Sequence, residues 1–347
     1  MAAESPETQP PNGHDPAPPE TGSRPPQRPA FGIMLKVLSA LAFTAMSALV
    51  KFVLAGGLLH AYPIGEIVFL RSLFALIPVL LWLAYARPLS AAFATRNLKG
   101  HIRRGFIGSL GMVLGFATLQ FLPLADATAL SYATPLLNVF LAWLILKEVV
   151  RIYRWTAVVI GFIGVLIMLV PHLSAFGGAA AAGPGTWKGI AFGLAAATCS
   201  AFAMIEVRRL TATEHTGAIV VYFSLTTTTL SLFSVALGQI DPAYVWVWPP
   251  ASDFAHLAAI GLLGGVGQIL MTHCYRYADA SVIAPFDYTS MIWALLLSWL
   301  IFDQLPQTLV LVGAAVVIAS GIFVILRERA LGIERRRQRE AAPTRPL

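Results

Sequence analysis

The sequence predicts an all-α integral membrane protein, with ten transmembrane helices arranged as two inverted five-helix repeats. Three observations predict it. The 347-residue chain is 57% hydrophobic and 12% charged, with a mean hydropathy of +0.73. A soluble chain carries about 25% charged residues to solvate its surface. Apolar stretches long enough to span a ~30 Å hydrocarbon core recur along the chain. The second half also repeats the first in register.

The elements follow in order. Residues 1–30 contain nine prolines and few large apolar side chains, so they cannot bury a core and read as a disordered tail. They have no apolar core of the kind a cleavable signal peptide carries. Spans then fall at 32–54, 64–86, 102–122, 124–146 and 153–170. An external loop covers 172–186, and further spans fall at 187–209, 216–238, 254–275, 280–302 and 307–326. Residues 328–347 form a basic tail. The two repeats thus occupy 31–171 and 187–327.

Charge sets the orientation. With the N-terminus in the cytoplasm, 21 of the 24 Lys and Arg lie on the cytoplasmic side. Only Lys188 lies opposite, while Lys51 and Arg71 sit within spans. By the positive-inside rule both termini are then cytoplasmic. The net charge of +7 is explained by orientation rather than by nucleic acid. The external segment "DPAYVWVWPP" suits an interfacial aromatic belt.

The repeat is legible in detail. "LPLADATAL" (122–130) answers "YRYADASVI" (275–283) at an offset of 153. Gly108 and Gly111 match Gly261 and Gly264 at that offset, and "LAWLIL" (141–146) answers "LSWLIF" (297–302). "GIMLKVLSALAFTAMSALVK" (32–51) aligns with "GIAFGLAAATCSAFAMIEVR" (189–208). Five spans per repeat is an odd number, so the second copy enters the membrane from the other side. Such inverted repeats are typical of secondary transporters, with sites at broken helices near the midplane.

The candidate site residues are the polar breaks in apolar spans. Charge at mid-membrane costs roughly 2.5–3.5 kcal/mol on insertion scales, so it marks a cavity or a partner. Asp287 and Tyr288 lie in span 9 just after Pro285, where the carboxyl can bind an amine, carry a proton or form a structural pair. Arg71 in span 2 is either an anion contact or a packing clamp. Tyr132, Pro135 and Asn138 hold the corresponding place in span 4. Pro135 and Pro285 each free a carbonyl that needs a partner or a wet cavity. His273 and Gln268 in span 8, and the run Thr226–Thr229 in span 7, are further polar groups that can line a path. The threonines can equally bond back to helix carbonyls.

Other polar residues have plainer readings. Lys51 and Glu66 lie near span ends, where snorkelling explains them. Glu206 and Arg209 form an i,i+3 pair. Asp126 and Asp279 sit where helices start and read as caps. The glycines of spans 3 and 8 read as close helix packing. Cys199 and Cys274 read as small buried hydrophobes. No metal-ligand spacing, nucleophile–base set or cofactor motif appears. The Gly-rich "GLLGGVG" (261–267) lacks the ending of a nucleotide-binding loop.

The pattern resembles the EamA family of the drug/metabolite transporter superfamily over about residues 31–327. The resemblance rests on the five-plus-five plan, "FLRSLFALIPVLL" (69–81), "ALSYATPLLNVFLAWLILKE" (129–148) and "IAPFDYTSMIWALLLSWLIFDQLP" (283–306). One departure is Asp303-Gln304 after span 9, where span 4 has the commoner Lys147-Glu148. "VVIGFIGVLIMLVPH" (158–172) with "APFDYT" is similar to the subgroup that includes S-adenosylmethionine and riboflavin transporters.

The resemblance implies alternating-access transport of small organic metabolites, amino-acid-, nucleoside- or vitamin-like. The expected setting is a bacterial inner membrane, with the lipid bilayer and a small-molecule substrate as partners and no cofactor, metal or nucleic acid. A non-transporting sensor or assembly protein, a lipid flippase and a membrane transferase, for which no catalytic cluster is present in the sequence, are the rival readings.

Overall fold

The computed structural model describes residues 28–86, 95–147, 152–173, 185–210, 213–214, 216–278 and 283–341. Residues 1–27 of the expected 1–30 tail, the expected cap Asp279 and most of the 172–186 loop lie outside them, while residues 29 and 30 belong to the first helix rather than to a tail. Among the described residues the regular structure is all helix, with no strand. The helices are α1 (Pro29–Leu54), α2 (Ile64–Ala86), α3 (Leu98–Phe121), α4 (Leu124–Ser131), α5 (Ala133–Leu146) and α6 (Ile152–Leu173). They continue as α7 (Thr186–Leu210), α8 (Thr216–Leu232), α9 (Ser234–Leu237), α10 (Ala251–Tyr277), α11 (Thr289–Phe302) and α12 (Thr308–Ala341). Short 3-10 turns cover Pro242–Tyr244 and Ala284–Tyr288.

Eight helical stretches among the described residues are long and apolar enough to cross a membrane. Span 4 is one of them, read across its break as Leu124–Ile145. Two shorter apolar helices, Trp155–Met168 and Phe286–Phe302, coincide with spans 5 and 9.

Local chemistry sets the ends. Pro29 opens α1, where its missing N–H costs nothing. Gly56, at φ +83°, turns the chain out of that helix. Asn97 caps α3 by accepting from Gly100 N at 2.9 Å. Lys147 and Asp303 both end their helices in the left-handed region, at φ 53° and 51°. The departure from the family pattern therefore falls at equivalent turns of the two halves. Span 10 runs well past its expected end, to Ala341, because its continuation is rich in the helix formers Arg, Glu, Gln and Ala.

Packing pairs the two halves. α1 lies antiparallel to α10: Gly32 meets Ala278, and Ser39 Oγ donates to Gly267 O at 2.8 Å. The repeat equivalent of that contact, α7 against α3, is also present and antiparallel, with Gly111 beside Cys199 and Gly189 on Leu122. α2 runs parallel to α10, with Phe74 against Phe254 and Trp82 against His273. Its equivalent, α8 along α3, places His101 on Tyr222 and Ser109 Oγ 2.8 Å from Thr227 Oγ1. α6 and α12 cross at Gly164 and Gly313, where the backbones nearly touch. Lys51 near the end of α1 donates to Leu119 O and Leu122 O at 2.9 and 2.8 Å, so α1 runs parallel to α3. α1 and its repeat equivalent α7 therefore point in opposite directions.

Two readings of polar residues change. Lys51 does not snorkel; it satisfies carbonyls at the end of α3, which otherwise have no helical partner. Glu66 is buried and accepts from Val247 N at 3.1 Å, which ties the 239–250 segment to α2. Trp246 Nε1 donates to Ser234 Oγ at 3.1 Å and its ring packs on Phe69, holding the same segment. Glu206 pairs with Arg209 at 3.1 Å as expected, and also with Arg103 of α3.

Candidate functional site

A cavity of about 300 Å³ lies between α1, α3, α4 and α7, with Ser290 of α11 at its edge. That is the lower end of the range for small-molecule sites. Its wall carries Phe43, Met112 and Phe116, but the polar lining consists of hydroxyls: Thr44, Ser47, Thr118, Thr128, Ser131, Thr134, Ser200 and Ser290. No lining residue is charged. Thr44, Thr118 and Thr128 each donate to the carbonyl four residues back, at 2.7–2.9 Å. Ser131 donates to Thr128 O at 2.6 Å. With those protons engaged, the oxygens face a solute as acceptors. Glycines 111, 115 and 193 keep the wall open, and a Cβ at Gly115 would meet nothing within 4 Å.

Both expected breaks are present. In span 4 the helix breaks at Tyr132, between α4 and α5, because Pro135 has no N–H for the carbonyl of Ser131. In span 9 the segment around Pro285 winds as a 3-10 turn before α11. The two breaks touch. Tyr132 donates to Ser290 Oγ at 2.8 Å, and Ser290 in turn donates to Asp287 O at 2.8 Å. Tyr132 OH also lies 3.3 Å from Tyr288 O, and the two rings meet edge to face at 5.3 Å. The Tyr288 hydroxyl lies over Gly321 of α12, where a Cβ would collide with it.

Asp287 is not buried at mid-membrane, as its place in span 9 had implied. Its side chain is 54% exposed and pairs with Lys36 Nζ at 2.5 Å, while Lys36 itself is 4% exposed. The 3-10 turn swings the carboxylate away from the cavity toward the end of the bundle where α1 begins. Asp287 and Arg71 are not brought together. Arg71 is 6% exposed and its guanidinium lies against Gly264 of α10, within about 3 Å of where a Cβ would stand. Its Nε has no hydrogen-bond partner among the described residues. Asn138 Oδ1, on α5, is likewise buried without one. His273 packs its ring on Trp82, away from the cavity. Pro135 faces outward; Pro285 lies in the 3-10 turn. Within the threonine run, Thr227 and Thr228 bond back to Phe223 O and Ser224 O, as helix-bound hydroxyls do.

The cavity hydroxyls and Lys36 escaped the sequence reading. Single Ser and Thr in apolar helices are common and carry no signal of their own. The repeat register held a usable one. It matches Gly193 to Lys36 and either Thr134 or Ser131 to Asp287, at offsets of 153 and 156, and all three line the cavity.

Comparison with known proteins adds to the geometry. The model of the EamA-like transporter family matches residues 30–170 and 187–327. The pseudopaline exporter CntI of Pseudomonas aeruginosa is 28% identical over 293 residues, covering 84% of this chain and 94% of that protein. The S-adenosylmethionine uptake transporter of Rickettsia prowazekii is 27% identical over 300 residues, covering 86% and 93%. One solved crystal structure superposes with a TM-score of 0.57 at 18% identity, covering 87% of this chain and 99% of that one, and so shares the fold.

Proposed function

The chain belongs to the EamA-like transporter family, and on that premise we propose that it is a secondary transporter moving small organic solutes by alternating access around the hydroxyl-lined cavity. The cavity is the observation that carries the reading: about 300 Å³, uncharged, rich in hydrogen-bond acceptors, and set where both repeats meet. Such a wall favours a solute with N–H or O–H donors, amino-acid-, nucleoside- or vitamin-like. One named relative is an exporter and another an uptake transporter. The family therefore leaves the direction of flux open, and the gradient applied sets it in the assay.

The finer topology is part of the proposal. The two short apolar helices complete ten spans, two inverted repeats occupy 31–171 and 187–327, and both termini lie in the cytoplasm of a bacterial inner membrane. The basic residues support that orientation, with 21 of 24 Lys and Arg on one side. The cavity then opens toward the outer face. Tyr132 and Ser290 form its floor, Tyr288 braces that floor against α12, and Asp287 acts through Lys36. Arg71, beside the repeat equivalent of the cavity glycine Gly111, meets acidic groups of solutes when the inner half opens. Asn138 and His273 stand behind these groups.

Purified protein in liposomes tests the function directly. A panel of amino acids, nucleosides, S-adenosylmethionine and vitamins is offered under solute and proton gradients. Saturable, competed flux of a donor-bearing solute is expected. No flux for any solute from well-folded protein would reject the transporter reading. Deleting residues 1–27 should leave flux intact, whereas a docking protein would lose its partner.

A further inference from the structure

The ion pair between Lys36 and Asp287 occupies the place where the second cavity of an inverted-repeat transporter would open. The repeat register makes this concrete. Lys36 and Ser39 are the equivalents of Gly193 and Ala196, and Asp287 matches Thr134 at the offset of 153 or Ser131 at the offset of 156 that aligns α5 with α11; all four of those matches line the observed cavity. Lys36 lies seven residues into α1, and Gly193 seven residues into α7, so each is about 10 Å from the start of its helix. At one end of the bundle, then, small residues leave a void. At the other end, the same positions are filled by a buried lysine on a carboxylate at 2.5 Å and by Ser39 bonded to Gly267 O at 2.8 Å.

We propose that Lys36–Asp287 is the inner latch of the transport cycle, holding the inner half closed while the outer half is open. The inference rests on the transporter reading above. The pair joins α1 of the first repeat to the broken segment of the second. That 3-10 turn is where a helix changes direction most easily, because its hydrogen bonding is poorer than an α-helix's. The latch is also wired to the cavity. Ser290 lines the cavity edge, and its hydroxyl bonds the carbonyl of Asp287 itself and receives Tyr132 OH. A solute that pulls on Ser290 or displaces Tyr132 therefore shifts the backbone carrying the latch carboxylate. Asp287 is half exposed at the end of the bundle where α1 begins, so the pair is not sealed in the packed core and can separate without stranding both charges there. An ion pair fully buried in the apolar core would be too costly to open on every cycle.

The inner pair has no charged counterpart at the outer end, since Gly193, Ser131 and Thr134, which hold the matching positions there, are all uncharged. The two closures are therefore chemically different, and the latch alone biases the protein toward the outward-open state. Removing it should shift the population toward inward-open.

Thiol accessibility in native membrane vesicles tests this on the full chain. In a Cys199→Ser, Cys274→Ala background, Ser131→Cys reports the observed cavity, and Gln268→Cys, which matches Gly115 and lies one turn beyond the Arg71 contact at Gly264, reports its repeat equivalent. An impermeant maleimide is applied to right-side-out or inside-out vesicles. With the pair intact, the Ser131→Cys reporter labels from outside and the Gln268→Cys reporter labels slowly from inside. Lys36→Met should raise inside labelling at position 268 by about fivefold or more, the response of an equilibrium to one such coupling, and lower outside labelling at 131.

The charge reversal Lys36→Asp with Asp287→Lys should restore the starting pattern. Unchanged labelling at both reporters in Lys36→Met would overturn the latch. If Lys36→Met and the reversal both fail to reach the membrane, the pair is a packing element and the proposal falls. The labelling needs no solute. Shifted labelling without flux of any solute would keep the latch and sink the transport reading; flux with unshifted labelling would do the reverse.

Discussion

Gly115 offers the sharpest test of the cavity as the transport route. It lies in α3, lines the cavity, and a Cβ there would meet nothing within 4 Å. Gly115→Phe would place a phenyl ring in that open space. An apolar cavity of about 150 Å³ is enough to hold benzene. The ring would therefore take up about half of the 300 Å³. What remains falls below the ~300–1,000 Å³ typical of small-molecule sites, so flux should drop at least about tenfold. Stability should not drop with it. Replacing a helix-interior glycine recovers a few tenths of a kcal/mol to about 1 kcal/mol, and the ring gains burial. The assay pairs solute flux in proteoliposomes with thermal unfolding in detergent. Wild-type flux through a well-folded Gly115→Phe protein would show that solute does not pass through this cavity, and the site would have to be sought elsewhere.

Further expectations concern the scaffold around that cavity. At the α6–α12 crossing, a Cβ on Gly313 would stand 2.5 Å from Gly164 O and 2.8 Å from Met168 N, backbone atoms that cannot rotate away. Gly313→Ala should therefore cost about 2–3 kcal/mol by thermal unfolding, while Gly115→Ala costs nothing; equal stability would refute the close crossing. Lys51→Met leaves the carbonyls of Leu119 and Leu122 without their donor and should lower stability by about 1–3 kcal/mol, an effect that a merely snorkelling lysine would not produce. Tyr132→Phe removes the bond to Ser290 and should cost about 0.5–1.5 kcal/mol while altering flux more than stability; unchanged flux would argue against a coupled floor.

In the 213–214 loop, burial alone would raise the Glu214 carboxyl. Bonds from Arg96 N and Thr95, together with His101 at 3.6 Å, outweigh that and hold it below its ordinary value. A depressed acid contributes stability that is present above its unfolded pKa and is lost as pH falls through the folded value. The gap in thermal midpoint between wild type and Glu214→Gln should thus be full near neutrality and close as the medium is acidified past the carboxylate range. A gap that persists in acid would refute the clasp.

Some of this was legible residue by residue. Pro135 and Pro285 announced the two helix breaks, because a missing N–H acts locally and needs no tertiary partner. Glu206 and Arg209 declared their pairing through helical spacing alone. The glycines of α3 and α10 announced close packing, and Gly111, Gly261 and Gly264 each lie against a neighbouring helix. Asp287 drew attention as the one acid in its span, yet its surroundings misled. A 3-10 turn, invisible in hydropathy, carries it out to the protein surface and to Lys36. Lys36 itself looked like one more basic residue near a helix start. Glu66 and Lys51 looked like side chains reaching for the interface, and both instead serve backbone groups far along the chain.

The sequence by itself determined the class of protein and its two repeats. Those follow from apolar length, charge placement and spacing, all properties of the chain in one dimension. The tertiary structure alone decided where the cavity lies, which hydroxyls face it, and what becomes of each buried charge. Those depend on pairs more than 150 residues apart, such as Tyr132 with Ser290 and Lys36 with Asp287. In a membrane a polar group must find a partner. The sequence states the need, and only the packing of helices names the partner.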